Sequence, residues 1–515
     1  EDLSDCKEGI LCRFYEEGVL THEVGHPKDA VAVATQDAAK GTKVTVGGTE
    51  VVLRQDIPFG HKVALRAIAA GEDVVKYGAV IGHATQPIQP GDWVHMHNMD
   101  TNLSGQLTYS YKPQGHERSS RIVGRGDTFL GYRRANGRVG TRNELWIIPT
   151  VSCVNTTIRL IQERAQQRYP GRCDGIFAFP HNAGCSQMGD DFLNTQNILK
   201  SVIRHPNAGG VLIVSLGCEN NDLEHFLPVL GELDTSRVKT LVAKDVEDEV
   251  EAAQELIGQI LDAMAEDRRE ACPVSELTLA LKCGGSDAFS GITANPLCGR
   301  IADTICAKGG SAVLTEVPEM FGAETYLMNR ADSEQTFEKV VQLINGFKQY
   351  YADYGQPCYD NPSPGNHRGG ITTLEEKSLG CIQKGGNAPV VDTLRYGQCV
   401  ERKGLNLMIG PGNDNVSITN LLASGAQQLL FTTGRGNPLA TAIPTIKLAS
   451  NAVMANRKHN WIDFNAGQIL DGVDFEDAAD ALWQMLLDVA SGRAHTKNEI
   501  NGYREIMIFK DGVLL

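Results

Sequence analysis

The chain has 515 residues, of which 42% are hydrophobic and 22% are charged, and its formal net charge at pH 7 is −15. Because one hydrophobic core does not serve a chain of this length, several domains are expected. The acidic balance argues against nucleic acid and against an anionic membrane surface as partners. The apolar runs are also far shorter than the roughly 20 residues that a membrane span needs.

The first predicted domain is a small β-rich unit over residues 23–98. Short β-branched segments such as AVAVA, KVTV and HKVAL alternate there with glycine-containing turns. Residues 99–130 are polar and are predicted to form a linker. An HExxH pattern at residues 22–26 does not indicate a metalloprotease, because Gly25 and Pro27 interrupt the helix that such a site needs.

Two further domains are predicted at residues 131–272 and 273–515. In both, apolar strand-like segments such as LWIIPTVS and QLLFTT alternate with helical segments. This alternation is typical of mostly parallel sheets that are covered by helices. The predicted fold class is therefore α/β, with a small N-terminal β-rich domain followed by two α/β domains.

Four strand-like segments end at a cysteine, and these cysteines are Cys153, Cys185, Cys218 and Cys283. The thirteen cysteines of the chain are scattered, which favours reduced thiols in a cytoplasm over a disulfide framework. Ligands of parallel sheets bind outside the carboxyl ends of the strands. We therefore interpret the four thiols as candidate metal ligands, with cysteines that merely fill buried strands as the alternative.

Other polar residues accompany these strand ends. His181 and Glu219 lie beside two of the cysteines, and Ser286 and Asp287 follow a third. Arg435 lies between glycines in TTGRGNP, which is the natural place for a carboxylate clamp.

The stretch at residues 360–380 is interpreted as a long ordered loop. It is either a structural connection or a substrate loop carrying Asn366, Glu376 and Lys377. Phosphate-loop and dinucleotide-binding signatures are absent from the sequence, which disfavours nucleotide-driven chemistry.

The chain resembles the altronate/galactarate dehydratase family of sugar-acid dehydratases. The resemblance covers nearly the whole chain from about residue 24, and it is carried by segments in the family's order, including GHKVAL, GCSQMGDD, LGCENN, KCGGSDAFSGITANP, TEVPEMFGAE, TTGRGNP and WIDFNAGQ. The segments RRANGRVGTRNELWI, VPEMFGAE and LNLMIGPGND are more similar to the altronate-specific members. The N-terminal β-rich unit is similar to the SAF domain of this family.

The resemblance implies conversion of D-altronate to 2-keto-3-deoxy-D-gluconate in hexuronate catabolism. It also implies a ferrous ion, with Mn²⁺ as a substitute and an iron–sulfur cluster as the alternative form of iron. The expected metal ligands come from Cys153, His181, Cys185, Cys218, Glu219 and Cys283. The candidate catalytic residues are His26, His61 and Lys377. The candidate substrate-binding residues are Lys62, Ser286, Asp287, Asn366 and Arg435.

Two other functions compete with this interpretation. The chain could act on galactarate or on another hydroxy acid of the same family, and a diacid substrate would need a second cationic clamp. A non-catalytic sugar-acid-binding protein is the second alternative, and it would have no use for cysteines at every strand end. A cytoplasmic homo-oligomer, with a dimer as the default, is expected.

Overall fold

The computed structural model describes residues 22–23, 26, 28–113 and 126–515. Within these residues, the chain forms a β-rich N-terminal domain and two α/β domains with parallel sheets, so the predicted fold class is confirmed. None of the helices described is both long enough and apolar enough to cross a bilayer.

The N-terminal domain consists of short antiparallel strands. They are β1 (His22–Glu23), β2 (Val31–Ala34), β3 (Lys43–Val46), β4 (Thr49–Val52), β5 (Lys62–Ala64), β6 (Asp73–Lys76), β7 (Ala79–Ala84), β8 (Trp93–Val94) and β9 (Met99–Asp100). The sheets have the orders β1-β2-β5-β8, β3-β4 and β6-β7-β9. Strand β9 lies inside the predicted linker 99–130, because Met99 pairs with Ala84 and thereby extends the β domain.

The second domain contains a sheet of four parallel strands. The strands of the whole domain are β10 (Thr128–Arg133), β11 (Val139–Gly140), β12 (Glu144–Pro149), β13 (Gly175–Ala178), β14 (Ala208–Ser215), β15 (Val238–Val242) and β16 (Glu270–Pro273). Its helices are α1 (Asn155–Arg168), α2 (Gly189–Ile203), α3 (Leu223–Leu230) and α4 (Glu249–Met264). The parallel sheet has the order β13-β12-β14-β15, and β11-β10-β16 form a separate antiparallel sheet. Strand β10 begins within the last residues of the predicted linker.

The C-terminal domain contains a sheet of seven parallel strands in the order β19-β20-β18-β17-β21-β22-β23. They are β17 (Thr278–Cys283), β18 (Ser311–Leu314), β19 (Val390–Leu394), β20 (Gly404–Met408), β21 (Gln428–Thr433), β22 (Thr445–Ala449) and β23 (Phe464–Asn465). The helices are α5 (Ala294–Ala307), α6 (Glu324–Met328), α7 (Glu334–Asp353), α8 (Pro364–Arg368), α9 (Leu374–Cys381), α10 (Asp414–Ala423), α11 (Ala452–Arg457), α12 (Phe475–Ala490) and α13 (Lys497–Asn501). The central strands are buried throughout, which explains their continuous apolar runs.

The two parallel sheets share one layer of helices. A single buried core joins both sheets through α2 and α10, and its members include Ile148, Leu199, Ile213, Ile418 and Phe431. The amino-terminal edges of both sheets meet at Gln427, which accepts hydrogen bonds from Asn207 and Thr278 at 3.2 and 2.6 Å. The carboxyl edges of both sheets therefore open on the same side of the protein.

The N-terminal domain is fixed to the C-terminal domain by a buried group of charges. The ammonium groups of Lys62 and Lys76 lie 2.8 and 2.7 Å from the two carboxylate oxygens of Glu376 in α9, and all three side chains are buried. Lys62 also donates to the carbonyl of Gly370 and to the hydroxyl of Thr372, each at 2.8 Å. Burial alone would raise the pKa of Glu376, but the two ammonium groups lower it to about 2.

We predict that Glu376→Gln weakens this domain contact strongly, because it leaves two buried ammonium groups without their counter-charge. The free energy of unfolding should fall by about 3–5 kcal/mol in urea titrations. Glu50→Gln is the control, because the pair between Lys43 and Glu50 is exposed and its loss should cost less than about 1 kcal/mol. Equal effects of the two substitutions would contradict the prediction.

Candidate functional site at the carboxyl edge of the seven-stranded sheet

The carboxyl ends of β17 and β21 form a crevice at the centre of the seven-stranded sheet. The chain leaves β17 toward β18 on one side and leaves β21 toward β22 on the other. Such a switch point is where open parallel sheets bind ligands. The loops after the two strands are held together, because the amides of Gly434 and Arg435 donate to the carbonyl of Gly285 at 3.1 and 2.8 Å.

A cleft of about 170 Å³ opens between this crevice and the N-terminal domain. Phe59 and Gly60 of the N-terminal domain line one wall, and the guanidinium-bearing residues Arg368, Arg435 and Arg457 line the other parts. The cleft thus carries local positive charge on a protein whose net charge is −15. Guanidinium groups bind carboxylates in paired hydrogen bonds, so the cleft suits a small acid.

Asp287 is the carboxylate that lines the cleft, and it is almost fully buried. One carboxylate oxygen accepts from the hydroxyls of Ser290 and Ser450 at 2.9 and 2.7 Å. The other oxygen accepts from the side-chain amide of Asn451 at 2.8 Å. Burial raises the pKa of Asp287 in spite of these hydrogen bonds.

Ser286 has a hydroxyl that is buried and has no hydrogen-bond partner within the described part of the chain. Buried polar groups nearly always have a partner, so this hydroxyl is open to a ligand. Asn366 fixes the loop from behind, because its side-chain amide donates to the carbonyl of Ser286 at 2.8 Å. The Asn366 oxygen is occupied by the backbone amide of Ser363 at 2.9 Å, which gives Asn366 a positioning role.

His61 lies behind the cleft wall. Its Nδ1 accepts from the indole of Trp93 at 3.2 Å, and its Nε2 lies 3.4 Å from the carbonyl of Arg368. Burial and the neighbouring Lys62 lower the pKa of His61, so its imidazole is neutral at pH 7. Burial also lowers the pKa of Lys62 to about 8. The ammonium group of Lys62 donates all of its hydrogen bonds to protein acceptors. Lys62 therefore joins two domains and does not face the cleft.

The other two candidate catalytic residues lie outside the lining of this cleft. His26 is half-buried in the N-terminal domain, and its Nδ1 accepts from the amide of Lys28 at 3.1 Å. Lys377 is buried, and its ammonium group lies 2.7 Å from the carboxylate of Glu319 and 3.0 Å from the side-chain oxygen of Asn361. Burial alone would lower the pKa of Lys377, but the Glu319 carboxylate raises it, so Lys377 is protonated.

Cys283 belongs to a second buried cluster beneath the crevice. Its sulfur lies 3.1 Å from the carboxylate of Glu319 and 3.5 Å from the sulfur of Cys381. The ammonium group of Lys384 donates to the same sulfur at 2.9 Å. The hydrogen bond with Cys381 and the charge of Lys384 lower the pKa of Cys283 against the effect of burial. Both contacts favour the thiolate form of Cys283.

The donor set of Cys283, Glu319 and Cys381 is compact enough to hold a metal ion. Its charges are nevertheless already balanced, because Lys377 pairs with Glu319 and Lys384 pairs with Cys283. A divalent cation there would face two buried ammonium groups at close range. The set therefore does not fit iron. Glu319 lies in the family segment TEVPEMFGAE, but no strand-end pattern in the sequence marks Glu319, Cys381 or Lys384 as site residues.

The carboxylate of Glu219 does not face a free metal position in the second domain. One oxygen accepts from the hydroxyls of Thr150 and Ser215, and the other accepts from the amides of Gly217 and Cys218 at 2.7 and 2.9 Å. Burial alone would raise the pKa of Glu219, but these hydrogen bonds lower it to about 2. Glu219 thus anchors the loop after β14.

His181 anchors the loop after β13. Its Nε2 donates to the carbonyl of Pro149 at 2.8 Å, and its Nδ1 accepts from the amide of Ala183 at 3.2 Å. Both ring nitrogens are therefore occupied by the backbone. Burial lowers the pKa of His181 to about 4.

The four strand-end cysteines are divided between two sheets. Cys153, Cys185 and Cys218 are exposed beyond β12, β13 and β14 of the second domain, whereas Cys283 is buried at the end of β17 in the C-terminal domain. The arrangement differs from a single crevice shared by all four. Among the described residues, the three exposed thiols have no lysine contact such as the one between Lys384 and Cys283.

We predict that His181 makes the folded protein sensitive to acid. The folded state binds this proton more weakly than the unfolded chain, so its contribution to stability is intact above pH 6.5 and is lost as the pH falls toward 4. The free energy of unfolding should drop by about 2 kcal/mol from this residue between pH 7 and pH 5. In urea titrations of His181→Gln, the fall in the free energy of unfolding between pH 7 and pH 5 should be smaller by that amount. A fall equal to that of the wild type would contradict the prediction.

Comparison with known proteins agrees with this architecture. Sequence models of the family match as follows: the altronate/galactarate dehydratase SAF domain at residues 23–102, the D-galactarate dehydratase/altronate hydrolase second domain at 131–265, and the D-galactarate/altronate dehydratase C-terminal domain at 274–514.

Curated relatives extend over almost the whole chain. Altronate dehydratases of Escherichia coli K12 and Bacillus subtilis 168 are each 49% identical over 95% of this chain and 99% of their own length. Galactarate dehydratase (L-threo-forming) of Escherichia coli K12 is 33% identical over 94% of this chain and 95% of its own. The chain therefore belongs to the D-galactarate/altronate dehydratase family, whose members are hydro-lyases.

Proposed function

We propose that this protein dehydrates D-altronate to 2-keto-3-deoxy-D-gluconate. The arginine-lined cleft above the switch point carries the proposal, because it offers a sugar acid both a cationic grip and buried polar groups. The similarity to altronate dehydratases is also much higher than the similarity to galactarate dehydratase.

The carboxylate of the sugar acid is bound by Arg435 in this proposal. Arg435 lies between two glycines at the carboxyl end of β21, where the backbone leaves room for a ligand. A guanidinium group on the carboxylate also lowers the negative charge next to C2. The C2 proton then becomes easier to remove, because charge that develops on the carboxylate is stabilised.

Asp287 accepts the C2 proton in this proposal. It is the carboxylate among the residues that line the cleft, and its raised pKa brings it closer to neutral pH, as general bases require. The oxygen bound by Asn451 accepts one side-chain hydrogen bond and keeps a lone pair for the substrate. Ser286 lies next to Asp287 in a small pocket that adjoins the cleft, and its unpartnered hydroxyl then binds a substrate hydroxyl.

Iron, when bound, supplies Lewis-acid assistance to the carboxylate and the hydroxyl groups of a hydroxy acid. The residues that we propose to hold it are Cys153, Cys185 and Cys218. We also propose a cytoplasmic location, which the eleven unpaired cysteines of the described residues support, and a homodimer as the default assembly.

Galactarate is the second candidate substrate. The observation that favours it is the presence of three arginines in the cleft, since a diacid needs two cationic grips. The relative rates at which the protein dehydrates D-altronate and galactarate distinguish the two substrates.

We predict that anaerobically prepared protein supplied with iron forms 2-keto-3-deoxy acid faster from D-altronate than from galactarate. Arg435→Ala should raise KM for D-altronate on the order of ten- to a hundredfold, because it removes a charge-assisted pair. Arg493→Ala is the control, since Arg493 pairs with Asp488 on the surface. Faster turnover of galactarate would show that galactarate is the preferred substrate. An unchanged KM in Arg435→Ala would show that Arg435 does not bind the substrate carboxylate.

We predict that Ser286→Ala lowers kcat/KM by at least about tenfold, which corresponds to one lost hydrogen bond, without weakening the fold. The hydroxyl has no partner among the described residues, so the free energy of unfolding should stay within about 0.5 kcal/mol. Ser311→Ala is a matched control, because its hydroxyl is equally buried and unpartnered but lies at the amino edge of the sheet. Equal activity of both variants would exclude contact between Ser286 and the substrate.

A further inference from the structure

Three exposed cysteines lie at the ends of three adjacent strands in the second domain. Cys153 follows β12, Cys185 follows β13 and Cys218 follows β14, and these strands are neighbours in one parallel sheet. Among the eleven cysteines of the described residues, these three are exposed and the other eight are buried or half-buried. Cysteine is one of the most buried residue types, so packing does not explain the arrangement.

The loops that carry the three thiols are joined by hydrogen bonds. The amide of Ser152 donates to the carbonyl of Ala183 at 2.9 Å, and the amide of Asn221 donates to the carbonyl of Gly184 at 3.3 Å. A side chain at Gly184 would place its Cβ 2.1 Å from the carbonyl oxygen of Thr150. Glycine therefore allows the loop after β13 to cross the end of β12, directly beside Cys185.

Glu219 and His181 fix these loops from below. Glu219 binds the hydroxyl of Thr150 after β12 and the amide of Cys218 after β14. His181 binds the carbonyl of Pro149 at the end of β12. All three thiol-bearing loops are thus positioned before any ligand binds, as a preorganised site requires.

The spacing of the thiols excludes a single ion bound by all three as they are placed. Thiolates about 2.3 Å from one ion cannot lie more than about 4.6 Å from one another. In the described ranges, the set of three ligand atoms within 4.8 Å of one another is that of Cys283, Glu319 and Cys381. At least one pair of the exposed sulfurs is therefore more than 4.8 Å apart, so one ion does not bind all three thiols as they are placed.

Helix N-termini add a favourable field. Helices α1, α2 and α3 begin at Asn155, Gly189 and Leu223, each within five residues of one of the cysteines. The N-terminus of a helix carries partial positive charge, which stabilises thiolates and an anionic cluster.

We propose that Cys153, Cys185 and Cys218 ligate one iron–sulfur cluster of the four-iron type, whose fourth iron takes no thiolate from the residues that the structure describes. Each thiol loses a proton to solvent when it binds iron, and the cysteines themselves are not oxidised. All three cysteines lie just beyond the carboxyl ends of their strands. The fourth iron would supply an open coordination position there. Its use by a hydroxy acid rests on the proposed function, whereas the cluster itself does not.

The test is an analysis of iron, acid-labile sulfide and visible absorption after anaerobic reconstitution with iron and sulfide salts. The full chain should bind about four irons and four sulfides and show a broad absorption that fades on exposure to air. Cys153→Ser, Cys185→Ser and Cys218→Ser should each lose most of the sulfide and absorption. Cys173→Ser, a half-buried cysteine of the same domain, should keep both.

Iron without sulfide, or full sulfide in all three variants, would overturn the inference. Loss of sulfide in Cys283→Ser with retention in Cys185→Ser would also overturn it, because the cluster would then be bound in the C-terminal domain. Urea titrations that match the wild type establish that the variants are folded. The measurement of iron and sulfide does not depend on turnover. A protein with a full cluster but no activity on D-altronate would therefore contradict the proposed function and still support the cluster.

Discussion

Glu376 holds two lysines of the N-terminal domain against the C-terminal domain, and the cleft depends on that contact. Lys62 and Lys76 lie on different strands, and both are fully buried around one carboxylate. The contact sets the position of the loop at Phe59 and Gly60, whose residues form one wall of the cleft. Phe59 also packs on Phe289 with ring centres 4.6 Å apart. A buried charge group of this kind is specific, because any other register would leave the charges unpaired.

The same principle governs the chemistry of the crevice. The hydrogen bond with Cys381 and the charge of Lys384 lower the pKa of Cys283, and the Glu319 carboxylate keeps Lys377 protonated by raising its pKa. Asp287 has no cationic partner among the described residues and accepts hydrogen bonds from hydroxyl and amide donors, so burial raises its pKa. Neighbouring groups therefore differ in charge state because their partners differ, which is how proton acceptors and fixed charges can coexist in one site.

Much of the fold could be predicted from the sequence, because buried parallel strands appear as apolar runs and helices follow them. The strand ends also identified Ser286, Asp287 and Arg435, which the structure brings to one crevice. Membership of a sheet could not be predicted: β17 has the same local pattern as β12, yet it belongs to the other sheet, so Cys283 is separate from the other strand-end thiols.

The pairing of Lys62 with Glu376 could not be predicted from the sequence either, because Glu376 is 314 residues away along the chain. Local sequence gives a lysine at the start of a strand, and only the fold shows that its ammonium group is fully engaged. The roles of His181 and Glu219 as loop anchors depend on backbone partners, which no side-chain pattern in the sequence reveals.

The central claim is that the sugar acid binds between the N-terminal domain and the carboxyl ends of β17 and β21. An experimental structure with bound D-altronate tests it most directly. The account predicts a substrate carboxylate at hydrogen-bond distance, about 2.7–3.2 Å, from the guanidinium of Arg435, with C2 facing Asp287. A sugar acid bound at any place where it contacts neither Arg435 nor Asp287 would contradict the account.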